Sequence, residues 1–257
     1  MVEDRTEASG RVADVLLQFM GASDTLGVSA IARDLGLSKA VVHRILRTLV
    51  DRDLLTVEPS SRGYRLGPGA AALGARALRG AQLRPAALPE LRELQIRTGE
   101  TTTISARVAD GRVYLDQVVS EKEIKMTVEV GRRFPLHAGS SGRAILAFLP
   151  PDDQARVLDG PLEALTPETI VDRDALRARL DAVRRTGIAE SGGERQAGAA
   201  SLAAPVFDVD GHPIGALSVC GPIHRFTESV RTTFAPMVLE SADAVSRALG
   251  WHGGLPA

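Results

Sequence analysis

The chain has one cysteine, Cys220, in 257 residues. That excludes an intramolecular disulfide framework and any cysteine-rich zinc site. Long apolar runs are missing too: nothing approaches the roughly 18 uncharged apolar residues that a membrane helix needs. The start, MVEDRTEASG, is polar and acidic and lacks the apolar stretch of a signal peptide. A net charge of −1 lacks the basic excess that advertises nucleic-acid binding, so any such role must rest on local charge. What is present is 44% hydrophobic and 25% charged residues, enough for a core and a solvated surface. The expectation is a soluble, cytoplasmic protein of one large domain or two ordinary ones.

Apolar spacing of Val12, Val15, Leu16 and Phe19 predicts a helix from about Arg11 to Met20. A short helix follows over Val28–Leu35, with Ser29 as candidate cap and Gly36 past its end. Ser38 is placed to cap a third helix reaching Val50. Leu55–Val57 and Tyr64–Leu66 read as short strands around the turn residues Pro59–Gly63. That order is a winged helix-turn-helix. Residues 67–79 are small and apolar with arginines and read as a linker helix able to pack against a partner. Leu83–Thr98 is a further helix ended by Gly99. Strand-like runs flank Asp110-Gly111 and again Asp210-Gly211, which reads as hairpins turning at those dipeptides. Helices are expected near 140–148, 172–186 and 227–249. Hairpins interspersed with helices give an α+β layout. There is no strict repeat and no long low-complexity segment.

Wound at 100° per residue, the third helix puts Val42, Ile45, Leu46 and Leu49 on one stripe. Lys39, Ala40, His43, Arg44 and Arg47 fall on the other face, which carries positive charge and no carboxylate. Such a helix, after a short helix and a glycine turn, can lie in the major groove of double-stranded DNA. Arginine can bond guanine or hold a phosphate, and Ala40 can approach a thymine methyl. Ser38 sits at the helix start, and Arg62, at the wing tip, suits phosphate or minor-groove contact. A basic face can equally be only solvated; the preceding helix, turn and wing favour DNA.

In the second half, Ala138-Gly139-Ser140-Ser141-Gly142-Arg143 runs into an apolar helix. Free N–H groups and two hydroxyls there suit an anion, and the same residues can simply cap a helix. Ser218 and Cys220 share a strand face by period two, as pocket or small core residues. Catalytic and metal signals are weak. The serine turn does not fit G-x-S-x-G. His137, His212 and His224 lack metal-ligand spacing, and Ser191-Gly192-Gly193-Glu194 lacks a Walker lysine.

Taken in order, these segments resemble the isocitrate lyase regulator (IclR) family over nearly the whole chain. The likeness is carried by Val28–Lys39, Val42–Leu46 and Tyr64–Gly67. It continues in Gly99–Thr101, Val113–Asp116, Val130–Arg132, Pro135–Ala138, Ala144–Phe148, Leu202–Val206 and Leu217–Pro222. The resemblance implies a winged helix-turn-helix over 1–66, a linker helix over 67–82, a GAF-like effector domain over 83–250 and a tail over 251–257. It implies a transcriptional regulator, homodimeric or tetrameric, binding promoter DNA under control of a small-molecule effector and needing no cofactor. Its effector pocket maps onto Ser140, Ser141, Ser191, Ser201, Ser218 and Cys220, with Met126 and Leu136 as apolar walls. The family often carries an acidic residue at Ser191, a cysteine at Ser201, a lysine at Arg143 and Ser-Thr at Ala40-Val41. The expected effector is a small organic acid or another carbonyl-bearing polar metabolite held at Ser140 and Ser141, without reliance on Arg143. Two alternatives stay open. One is an enzyme with a DNA-binding appendage, resting on His137 near the serines. The other is a constitutive DNA-binding protein with a vestigial pocket.

Overall fold

The computed structural model describes residues 2–21, 24–80 and 82–254, the side chains of residues 2–7 and 75–80 aside. The chain divides into two compact units, residues 1–81 and 82–257. Residue 81 of the expected linker and residues 255–257 of the expected tail lie outside the described residues.

The first unit opens with α1 (Val2–Leu17), longer at its start than the sequence pattern indicates, and a 3-10 turn over Gln18–Met20. It continues with α2 (Val28–Asp34), α3 (Lys39–Val50), β1 (Leu55–Val57), β2 (Tyr64–Leu66) and α4 (Pro68–Gly80). The apolar stripe of α3 closes the core: Val42, Ile45, Leu46 and Leu49 are buried with Val15, Phe19, Ile31 and Leu55. The turn between α2 and α3 is set by Gly36, at φ +64°, a conformation costly for any residue with a Cβ. Its N–H reaches the Arg33 carbonyl and the Leu37 N–H reaches the Ala32 carbonyl, a Schellman ending. Ser38 then caps α3, its hydroxyl accepting from the Val41 N–H at 3.4 Å. Ser29 does not cap α2: the helix begins at Val28 behind Gly27, so Ser29 is already in its first turn. β1 and β2 pair antiparallel with Leu55 opposite Leu66, and Leu26 bridges to Tyr64 beside them. This is a winged helix-turn-helix.

The second unit begins with α5 (Leu83–Thr98), β3 (Thr101–Val108), β4 (Gly111–Val118), β5 (Arg133–Pro135) and α6 (Ser140–Leu146). Then come α7 (Pro151–Asp159), α8 (Arg173–Thr186), β6 (Ala189–Gly192), β7 (Ala199–Phe207), β8 (Pro213–Pro222) and α9 (Glu228–Ala248). The strands form one antiparallel sheet in the order β5-β4-β3-β8-β7-β6. Strand periodicity assigns its two faces. Leu202, Ala204, Val206, Leu217 and Val219 pack with Leu91 and Leu94 of α5 and Val238, Ala242 and Val245 of α9. The alternate residues Ala203 and Ala216 pack with Ile145 and Leu146 of α6 and Leu176 and Leu180 of α8. Ser201, Ser218 and Cys220 are in step with this second set. The result is an α+β domain with a hydrophobic core on each side of its sheet.

Two expectations need correction here. The first hairpin turns at Ala109-Asp110, with Ala109 at φ +49°, while Gly111 is already in β4 opposite Val108. Residues 147–148 lie beyond the end of α6. Past α9, Trp251 stacks on Phe207 with ring centroids 4.6 Å apart.

Candidate functional site

On α3 the outward positions are open. Ser38, Lys39, Ala40, His43, Arg44 and Arg47 are all exposed, as is Arg62 between β1 and β2. Arg62 adopts φ +53°, which turns the wing tip sharply. No salt bridge joins Lys39, Arg44 or Arg47 to a carboxylate among the described residues. The face is therefore charged and uncommitted, held by a helix whose opposite side is core.

In the second unit the sheet face in step with Ser218 is covered by the start of α6. Gly139 supplies the entry, at φ +86°. Ser140, Ser141, Ser191, Ser201, Ser218, Cys220 and Met126 all line one cavity with about 400 Å³ of empty space, its mouth included. These residues come from β6, β7, β8, α6 and the segment after β4, more than ninety positions apart in the chain. Met126 is carried in by a pinned segment. Lys122 pairs with the buried Glu100 at 2.7 Å, Arg225 donates to the Ile124 carbonyl at 2.9 Å, and the Gln117 amide bonds both backbone groups of Val128. Leu136 is not on the cavity wall. It is fully buried in the core beneath α6, next to Ala144 and Leu146, because its side chain faces the helix and not the sheet opening.

The hydroxyls are partly spent on one another. Ser140 and Ser201 lie 2.7 Å apart, as do Ser218 and Thr103. The helix-start donors are not all free either, since the Gly139 N–H points at Glu194 at 3.4 Å. Arg143, on which the effector reading does not rely, does not reach solvent. It is 1% exposed and forms a two-pronged ion pair with Glu194. Burial against the β6–β7 loop leaves it no other direction, and its charge is spent there. Cys220 is buried, which pushes its thiol up to about 12, although Arg195 pulls the other way. It stays a neutral thiol at physiological pH, packing as a small apolar group. His137 is also off the cavity wall; its Nε2 donates to the Glu163 carbonyl at 2.9 Å. It has no role toward the serines in this arrangement.

Sequence reading missed the strongest feature of the cavity. Arg112 of β4 lines it at 1% exposure, with Nε and Nη1 buried and without a hydrogen-bond partner. Its guanidinium carbon lies 4.6 Å from the Tyr114 ring centroid and 5.4 Å from that of Phe134. Those contacts stabilise the cation by about 0.5–2 kcal/mol each. They do not replace hydrogen bonds, and an arginine keeps its charge when buried. Arg195, half-buried, shares the lining. The signal available in the sequence was period two: Arg112 and Tyr114 fall on one face of the same strand.

Similarity to known proteins spans both units. Residues 10–59 match the model described as IclR helix-turn-helix domain, and residues 75–247 match that of the bacterial transcriptional regulator IclR C-terminal domain. The chain is 32% identical over 238 residues to the HTH-type transcriptional regulator KdgR of Escherichia coli K12, covering 92% of this chain and 90% of that one. A crystal structure of an IclR transcriptional regulator from Silicibacter sp. TM1040 matches with TM-score 0.84 and 32% identity, covering 95% of this chain and 97% of the other. An IclR homolog of Microbacterium hydrocarbonoxydans complexed with 4-hydroxybenzoate matches with TM-score 0.71 and 28% identity, over 94% and 98% of the two chains.

Proposed function

The chain belongs to the IclR family of bacterial transcriptional regulators, with a helix-turn-helix DNA-binding domain and an effector-binding C-terminal domain, and from that membership we propose that a small organic acid held at Arg112 controls its binding to promoter DNA. The observation that carries the proposal is the buried guanidinium with two unpartnered nitrogens. Leaving such a charge uncompensated costs several kcal/mol. A carboxylate offers two parallel acceptors to the guanidinium fork, while the Ser140, Ser141 and Ser191 hydroxyls supply further donors. An apolar ligand would leave both nitrogens without a partner, and a neutral carbonyl would accept a hydrogen bond but leave the charge uncompensated.

In this reading residues 1–66 bind DNA, 67–82 connect, and 83–250 sense, in a homodimer or tetramer working in the cytoplasm. Ser38, Lys39, Ala40, His43, Arg44, Arg47 and Arg62 face the duplex. Operator half-sites follow the spacing of paired recognition helices. The acid acts by binding one arrangement of the subunits better than another. The pocket senses and does not turn over: His137 is tied to a backbone carbonyl, and KdgR is a transcriptional regulator.

Native mass spectrometry of the purified chain is expected to release a copurified acid, and calorimetry with that acid gives its affinity. Ser140→Leu with Ser141→Leu fills the cavity and is expected to weaken that affinity at least a hundredfold while promoter binding persists. An unchanged affinity in the double variant would put the effector elsewhere.

A further inference from the structure

Arg112 is not the only cation in the cavity without a counter-charge. Arg195 lines it too, and both guanidinium groups lie over the same two rings. The Arg195 guanidinium carbon is 5.7 Å from the Tyr114 centroid and 5.2 Å from that of Phe134, against 4.6 and 5.4 Å for Arg112. Gly139 lies between them: a Cβ there would stand 3.6 Å from Arg195 Cβ and 3.8 Å from Arg112 Nη2. The polar contact of Arg195 is a long one, 3.4 Å to the Gln196 side-chain oxygen.

The nearby carboxylates are committed elsewhere. Glu194 is held by Arg143, and Glu100 by Lys122 and Arg225. None of the residues lining the cavity carries a negative charge. Two like charges are thus held against the same two aromatic rings, one of them buried where water screens it poorly. A single carboxylate on Arg112 would neutralise one of them. The second would stay uncompensated, facing the mouth beside the Gln196 amide.

Resting on the acid-effector reading above, we infer that the effector is a small dianion with two acid groups, and that Arg195 is the residue that distinguishes it from a monoacid. The first carboxylate docks at depth on the Arg112 guanidinium, across one of the forks that Nη2 forms with Nε or with Nη1, in the two-pronged geometry a guanidinium favours. The second group, a carboxylate or phosphate, meets Arg195 and Gln196 nearer solvent. A monoacid gains only the first contact and must be accommodated next to an unmatched cation.

The test is calorimetry on the full-length protein with malonate, succinate and glutarate, each beside its monomethyl ester. At least one diacid is expected to bind tenfold or more tightly than its own ester. Arg195→Gln is expected to bring that ratio close to one, a change that general loosening of the pocket would not produce. Equal binding of diacid and ester by the wild-type protein overturns the inference, as does a ratio that survives in Arg195→Gln. In either case loss of ester binding in Arg112→Met would leave the monoacid reading standing. If no member of the series binds, the dianion inference is rejected, and a neutral copurified molecule in the native mass spectrum would reject the acid reading with it.

Discussion

Replacing Arg44 and Arg47 by alanine together is expected to abolish specific promoter binding at physiological salt. Both side chains are exposed on the face of α3 opposite its buried stripe. Neither is needed to fold the helix, since its stability comes from Val42, Ile45, Leu46 and Leu49 and from the Ser38 cap. Alanine is the better helix former. An arginine bidentate to guanine discriminates by on the order of 1–3 kcal/mol, and the loss is incurred once per half-site. One that holds a phosphate contributes about one unit to the salt slope. Fluorescence anisotropy with promoter DNA over a range of salt separates the cases. A base contact relaxes sequence preference at one position, and a phosphate contact weakens all sequences and flattens the slope. A variant that melts like the wild type and binds DNA like it would show that α3 is not the reading helix.

Arg143→Met is expected to be the most destabilising single change in the effector domain. It removes one partner of a buried pair and leaves Glu194, 7% exposed, without its counter-charge. Breaking such a pair from one side costs about 3–5 kcal/mol. For a domain of this size that lowers the melting midpoint by on the order of 6–20 °C. The loss reaches the pocket as well. Glu194 fixes the loop that carries Arg195, and its backbone carbonyl is held by Thr169 at 2.6 Å. Thermal unfolding followed by circular dichroism measures the effect. Arg143→Met with Glu194→Leu should recover most of the stability, because two apolar side chains restore packing without a stranded charge. A single variant that melts with the wild type would mean the pair contributes only to position and not to stability.

Local patterns carried most of the architecture. The α3 stripe, the Gly36 turn and the Ser38 cap are consequences of near neighbours in sequence, and each is where periodicity puts it. The same holds for α5, bounded as Leu83–Thr98 and ended by Gly99 in the left-handed region. Gly111 misled for a physical reason. It looks like the second residue of a turn, but it is glycine because β5 passes too close for a side chain: a Cβ would come within 2.9 Å of the Phe134 carbonyl oxygen. The three-residue strand β5 and the four-residue β6 are too short to show a period, and they are strands only because β4 and β7 are there to pair with them.

The pocket was legible where resemblance supplied long-range information and illegible where burial decided. Ser140, Ser191, Ser201 and Ser218 converge because topology brings four elements together. Leu136 and Arg143 are neighbours of those residues in sequence, yet both turn away, one into the core and the other to Glu194. Arg112 reads as an ordinary polar residue of a half-exposed hairpin. Its burial comes from Phe134 and from Gly139 at the entry to α6, more than twenty positions away.

The most direct test of effector control is promoter affinity measured with and without the copurified acid, in the wild type and in Arg112→Met. The acid is expected to change wild-type affinity at least tenfold. In Arg112→Met the ratio with and without acid should be one, in a protein that unfolds cooperatively and no earlier than the wild type, because a stranded buried charge has been removed. An Arg112→Met protein whose promoter binding responds to the acid as the wild type does would contradict the account.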